Sequence, residues 1–193
     1  MNYIKFDTID STNDFLKSYS NEQYLPDFFY VLADRQSKGR GQREHTWQSD
    51  CCKNLLVSFL VRPDFALEKQ ILLNKIVSIS LIELLKKHQI CQAQVKLPND
   101  IMAGGKKIAG ILIENTIRNK KMQHSIIGIG LNVNQTDFVN LPEAVSMKNI
   151  LAKDISVSDL AVELQQILKK NFSSDEKTIE KTYASLSFFK PKE

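Results

Sequence analysis

The chain has 193 residues, 42% of them hydrophobic and 25% charged, which is ordinary usage for a single globular domain and excludes collagen-like, coiled-coil and disordered classes. With 26 Lys+Arg against 22 Asp+Glu the net charge is +4, enough to permit an anionic ligand but not the signature of a nucleic-acid binder. No apolar run reaches the ~18 residues of a membrane span, and Met1 to Asp7 lacks a signal-peptide core, so a cytoplasmic protein is expected.

Residues 2–6 read as a short strand, and Ser11 as the N-cap of a helix with Asp14 three places on, a variant of the capping box. Phe28 to Ala33 is strand-like, 34–50 is a polar loop, and Asn54 to Val61 is the next strand. Leu67 to Lys87 is the clearest helix; its apolar positions (Leu72, Ile76, Ile79, Leu81, Ile82, Leu85) are wider than one stripe, which predicts burial against a sheet. Val95-Lys96 is a short strand stopped by Pro98. Gly104-Gly105 is a hairpin-type turn. Strands over Lys107 to Ile117 and His124 to Val133 flank a basic turn at Arg118 to Lys121, and two helices follow, one striped by Val157, Leu160, Ala161, Leu164, Ile167 and Leu168, the other over 175–186. The expected class is α+β, with a mixed, largely antiparallel central sheet flanked by helices.

Four segments have chemical potential. The loop 34–47 carries four Arg/Lys and two glycines; it is either an anion-binding loop or a solvated basic one. Trp47, the single tryptophan, is a core anchor or a ligand-stacking ring. In Ile127 to Val133 the alternation of strand faces puts Gly128, Gly130 and Asn132 together, so a flat ligand or a closely packed helix should approach that face. Asn99 and Asp100 after Pro98 offer oxygen ligands for Mg²⁺, or merely a self-bonded turn, and Lys107 either snorkels at a strand end or reaches an anion. Cys51, Cys52 and Cys91 lack CxxC spacing, and His45, His88 and His124 form no catalytic pattern. Gly105-Lys106-Lys107 is no P-loop, and Gly128-x-Gly130 no dinucleotide fingerprint.

In order along the chain, Ser11-Thr12-Asn13, Gln36 with Gly39-Arg40-Gly41-Gln42-Arg43 and Trp47, Asn54-Leu55, Lys96-Leu97-Pro98-Asn99-Asp100, Lys107-Ile108-Ala109-Gly110-Ile111-Leu112, Gly128 to Val133 and Ser146-Met147 resemble the biotin protein ligases. The resemblance implies ATP-dependent activation of biotin, with Mg²⁺, to biotinyl-5′-AMP, and transfer to a lysine of a biotin carboxyl carrier domain. It implies catalytic roles for Lys107 and Arg40, with Arg40 and Arg43 over the adenylate phosphate. Biotin would contact Ser11, Thr12, Asn13, Gln36, Gly39, Arg40, Gly41, Gln42, Lys107, Gly110 and Gly128. Arg43, Trp47, Asn99, Lys107 and Asn132 would bind the nucleotide, and Asn99 and Asp100 the metal. Gln42, Glu44, His45 and Leu97 depart from the family's usual residues, and Glu44 is expected to weaken retention of the intermediate.

The resemblance further implies a catalytic domain over residues 1–188, with no DNA-binding head and without the family's usual C-terminal β-barrel. No DNA or membrane partner is expected, and a homodimer is allowed. Two rival readings are a lipoate- or octanoate-type protein ligase and a non-enzymatic domain binding RNA through its basic loop.

Overall fold

The computed structural model describes residues 2–43, 45–119 and 121–186. Seven strands form one sheet: β1 (Tyr3–Ile9), β2 (Tyr30–Gln36), β3 (Leu55–Val61), β4 (Ala93–Lys96), β5 (Asp100–Ala103), β6 (Lys106–Arg118) and β7 (Lys121–Leu131). Five helices accompany them: α1 (Thr12–Glu22), α2 (Gln70–Lys87), α3 (Met147–Leu151), α4 (Val157–Phe172) and α5 (Glu176–Leu186). The spatial order is β1-β2-β3-β7-β6-β5-β4, with β1 and β2 parallel and the other pairs antiparallel. This is the mixed, largely antiparallel sheet expected from the sequence. Among the described residues no helix is long and apolar enough to cross a membrane.

The helices divide the core in two. On one face, α2, α4 and α5 cover a large cluster that includes Leu55, Val57, Phe59, Ile111, Ile127, Ile129 and Leu131. Because α2 lies between the sheet and α4/α5, it buries residues around most of its circumference (Leu73, Ile76, Val77, Leu81, Leu84), which explains its broad apolar pattern. On the other face, α1 alone packs a small cluster of Leu16, Leu25, Phe29, Val31, Leu60 and Ile126, leaving the rest of that face open. All seven residues of β3 are buried because both faces of the sheet are covered there, and Ser58 is its single polar member.

The element boundaries follow local chemistry. Phe28 has φ +61°, so β2 begins at Tyr30 rather than at Phe28, and it runs on to Gln36. Gly104 and Gly105, at φ +58° and +78°, close the two-residue β5–β6 hairpin, a turn that needs positive φ at both positions. The expected basic turn at 118–121 joins β6 and β7, with its Lys120 outside the described residues.

β5 and β6 contain the irregularity that matters most for the site. Asp100 pairs with Gly110 and Ile101 with Ala109, but Met102 pairs with Lys107, so Ile108 is an extra residue in β6. Ile108 and Ala109 both enter the large core cluster. A bulge of this kind resets the alternation of side chains. Lys107 therefore lies on the same side as Asp100 and Gly110, the open face of the sheet.

Candidate active site

The open face holds a cleft of about 270 Å³ whose floor is β6 and β7 and whose walls are the start of α1, the loop after β2 and the β4–β5 turn. It is lined by most of the residues singled out in the sequence: Ser11, Thr12, Asn13, Gln36, Arg40, Gly41, Gln42, Arg43, Trp47, Asn99, Asp100, Lys107, Gly110 and Gly128. Asn132 instead lines an adjoining, more apolar cavity of about 290 Å³, which shares Thr46, Trp47 and Lys107 with the first. Gly39 lines neither; it is buried under the loop, where its carbonyl accepts from the Trp47 amide at 2.9 Å.

One end of the cleft is a polar network fixed by α1. The Ser11 hydroxyl caps the helix by accepting the Asp14 amide at 3.3 Å. Thr12 donates its amide and hydroxyl to Gln36 Oε1, at 2.7 and 3.0 Å. Ser58 Oγ stands 2.7 Å from Thr12 Oγ1 and 2.6 Å from Asn13 Oδ1; the amide oxygen only accepts, so the Ser58 proton points to Asn13. Asn13 Nδ2 donates to Glu114 Oε2 at 2.9 Å. Thr12 and Asn13 are almost fully buried, which makes these bonds costly to break.

The glycine face of β7 is filled by the protein itself. A Cβ on Gly128 would lie 2.3 Å from Asn13 Oδ1, and one on Gly130 would lie 2.4 Å from Trp47 Cε2. Of the two readings left open by the sequence, the packed helix accounts for Gly128. Gly130 and Gly110 make room for the indole, whose Cζ3 would be 3.0 Å from a Cβ on Gly110. Trp47 is thus laid across the sheet where the two cavities meet, half-buried, with its Nε1 the one buried side-chain polar atom among the described residues that lacks a hydrogen-bond partner.

The cationic side chains differ in engagement. Lys107 Nζ is 2.7 Å from Asp100 Oδ1 and 5.7 Å from the centroid of the Trp47 ring. Its backbone is clamped from behind, its amide donating to the Glu143 carbonyl at 2.7 Å and its carbonyl accepting from the Val145 amide at 2.9 Å. The Arg40 guanidinium, which the sequence reading places over the phosphate, lies between the carboxylates of Asp14 and Glu114. Arg40 and Thr46 form an isolated antiparallel bridge that pinches the two arms of the loop together. The loop begins at a second anchor, where Ser37 and Lys38 bond Asp10, and the Lys38 ammonium with the Ser37 hydroxyl holds the Asp10 carboxyl below the usual carboxylate range. Glu44 lies outside the described residues.

Asn99 and Asn132 have structural bonds as well. Asn99 Nδ2 donates to the Ile111 carbonyl at 3.1 Å and holds the β4–β5 turn on β6. Asn132 Nδ2 donates to the Val145 carbonyl at 3.1 Å, tying β7 to the segment that leads into α3, where Ser146 and Asn149 complete a capping box. Glu114, Asp14 and Ser58 are polar residues at the site that sequence reasoning did not assign to it, as are His45 and Thr46 in the cleft lining. Glu114 has the same strand parity as Gly110 and Leu112, and that spacing was the available signal.

A family model described as the biotin/lipoate A/B protein ligase family matches residues 5–132, the span that contains every assigned site residue. The chain belongs to the biotin/lipoate A/B protein ligase family. Within it, the fold is that of the biotin protein ligase catalytic domains. A biotin protein ligase from Aquifex aeolicus in complex with biotin and ATP is 29% identical with a TM-score of 0.76, over 95% of this chain and 74% of that one. A biotin protein ligase from Leishmania major in complex with biotin has a TM-score of 0.81 at 23% identity, over 97% of this chain and 81% of that one, a likeness of fold alone. The bifunctional ligase/repressor BirA of Bacillus subtilis (strain 168) is 33% identical over 132 residues, 68% of this chain and 40% of the relative. BirA of Escherichia coli (strain K12) is 34% identical over 125 residues, 65% of this chain and 38% of the relative. The chain spans about two fifths of the length of these two relatives.

Proposed function

We propose that the described residues are the catalytic domain of a biotin protein ligase, which joins biotin to ATP as biotinyl-5′-AMP and passes the biotinyl group to a lysine of a biotin carboxyl carrier domain. The observation that carries this reading is the meeting of two cavities at Lys107 and Trp47. A reaction between two anions needs a fixed cation where they approach more than it needs a covalent nucleophile. Lys107 is that cation, on a rigid strand and clamped at its backbone.

In this reading the ureido ring of biotin meets the network of Thr12, Asn13, Gln36 and Ser58, and the valeryl chain runs along Gly110 toward Lys107. The nucleotide takes the second cavity. Trp47 stacks on the base. The biotin carboxylate attacks the α-phosphorus and pyrophosphate leaves, while Lys107 and Arg43 stabilise the charge that accumulates on the phosphoryl oxygens. The carrier lysine then attacks the acyl carbonyl; the new C–N bond replaces the C–O bond and AMP departs. Closure of the loop around Gly39, Gly41 and Gln42 keeps water from the mixed anhydride.

Mg²⁺ on the triphosphate needs only one or two protein oxygens. Asp100 and Asn99 supply that set, and no group of three His, Cys, Asp or Glu side chains among the described residues offers a dedicated cage. The metal would neutralise phosphate charge. We place the activity in the cytoplasm, where ATP is available and where the three cysteines remain free thiols.

The test is incorporation of labelled biotin into a carrier domain, comparing the wild-type chain with Lys107→Ala. Calorimetry with biotin alone and then with biotin plus MgATP accompanies it. Binding of biotin before nucleotide, and loss of incorporation in Lys107→Ala, are expected. No heat with biotin at micromolar protein, or equal incorporation by the variant, overturns the reading.

A further inference from the structure

We infer that Glu114 is a positioning residue that fastens the ligand loop to the fixed end of the biotin pocket by holding Asn13 and Arg40 with a single carboxylate oxygen. The inference rests on the proposed biotin ligase reading and goes beyond it, since it assigns a task to a strand residue that need not touch the substrate.

Glu114 Oε2 accepts from Asn13 Nδ2 at 2.9 Å and from Arg40 Nη2 at 2.9 Å, while Oε1 lies 3.8 Å from Lys17 Nζ. The two partners belong to different kinds of structure. Asn13 sits in the first turn of α1, buried, with its Oδ1 committed to Ser58 and pressed against Gly128. Arg40 is in the loop, 41% exposed, and its backbone pairs with Thr46 beside Trp47. Glu114 is therefore the contact through which the orientation of a buried amide and the seating of an exposed loop depend on each other. Glu114 itself cannot swing freely, because β6 is paired with β7 on one side and its side chain is 22% exposed.

The chemistry assigns separate tasks to its charge and its lone pairs. A neutral acceptor at 114 still receives the Asn13 amide. Only a carboxylate also holds the guanidinium with full strength, because charge-assisted bonds are roughly twice as strong as neutral ones. Asp14 provides the second anchor on Arg40, so removing the charge at 114 weakens the latch without releasing it. With the latch weakened, biotin leaves faster while the ureido contacts stay intact.

The experiment is calorimetric titration of the full chain with biotin at low and high NaCl, together with dissociation rates, for wild type, Glu114→Gln, Arg40→Ala and the double variant. Thermal denaturation follows folding. Glu114→Gln is expected to bind biotin roughly tenfold more weakly through a faster dissociation rate, with melting close to wild type. The double variant is expected to be no weaker than Arg40→Ala, because both substitutions break one latch. Affinity should fall more steeply with salt in wild type than in Glu114→Gln, a change that a purely structural role would not produce. Additive losses, or equal salt slopes, overturn the inference. If Glu114→Gln does not fold, Arg40→Ala carries the test alone: its salt slope must be shallower than wild type. Absence of biotin binding by the wild-type chain refutes the underlying ligase reading instead, and wild-type binding that Glu114→Gln leaves unchanged refutes only this one.

Discussion

Replacing Gly128 with alanine tests whether α1 is seated on bare backbone. The added Cβ would stand 2.3 Å from Asn13 Oδ1, which must withdraw by about 1.1 Å to reach the 3.4 Å of ordinary contact. Asn13 has nowhere to go without loss. Its oxygen is bonded to Ser58 and its nitrogen to Glu114, and its side chain is buried between α1 and the sheet. Overpacking a tight site costs about 1–3 kcal/mol and each weakened buried hydrogen bond about 1 more, so a loss of about 3 kcal/mol is expected. For a chain of this size that lowers the melting temperature by roughly 6–12 °C. Biotin affinity should fall with it, because the displaced amide is part of the ureido network. Gly130→Ala is the contrasting case. Its Cβ would stand 2.4 Å from Trp47 Cε2, but the indole hangs from a loop and is half-buried, so it moves aside. Gly130→Ala should melt near wild type, shift the fluorescence of the single tryptophan to the red, and weaken nucleotide binding more than biotin binding. A Gly128→Ala protein that melts within about 2 °C of wild type, under 1 kcal/mol on the same scale, and binds biotin normally would refute the reasoning.

Three further outcomes follow from particular contacts. Lys107→Ala should lower the rate of biotinyl-5′-AMP formation by about 10²–10³-fold in single turnover, with thermal stability almost unchanged, because the clamp on its backbone does not involve the side chain. Gly104→Ala should cost about 1 kcal/mol by denaturant titration and leave both ligand affinities intact, since its φ of +58° strains any L side chain while its surroundings are open. Burial, with Arg62 and Lys17 nearby, holds the half-buried His124 below the ordinary imidazole value of 6.5. The unfolded chain therefore takes up this proton first, and stability present above about pH 6.5 is lost as the pH falls through that value toward the lowered folded one. His124→Gln should flatten that part of the profile when melting is compared between about pH 7.5 and about pH 5; an unchanged slope would clear His124 of the effect.

The sheet and its helices were largely legible because periodicity reports burial directly. The wide apolar pattern of α2 signalled a helix enclosed on several sides, and the double glycine at 104–105 signalled its hairpin. The site was legible as a set of residues but not as an arrangement. The alternation in β7 placed Gly128 and Gly130 on one face correctly, yet it could not say that Asn13 and Trp47 would fill that face. Arg40 carries the same charge whether it meets a phosphate or two carboxylates, and its partners Asp14 and Glu114 are 26 and 74 residues away in sequence. Simple strand parity would have sent Lys107 to the core side with Ala109. An irregular register is decided by pairing across β5 and β6, and composition within one strand does not encode it.

That extra residue ties the facing of the cation to the register of β5 on β6 rather than to the identity of any one side chain. If Ile108 were drawn into regular pairing with Met102, the strict two-residue repeat of β6 would return and thread the ammonium of Lys107 in among hydrocarbon side chains, where a charge is not tolerated. Deleting Ile108 would instead remove the bulge, leave Lys107 on the open face and cost one buried side chain. Single-residue insertions after Arg118, where β6 ends, leave that pairing untouched. The two ends of this long hairpin thus differ in what a change of register does: near Lys107 it can turn the cation over, and at the far end it reaches no residue of the site.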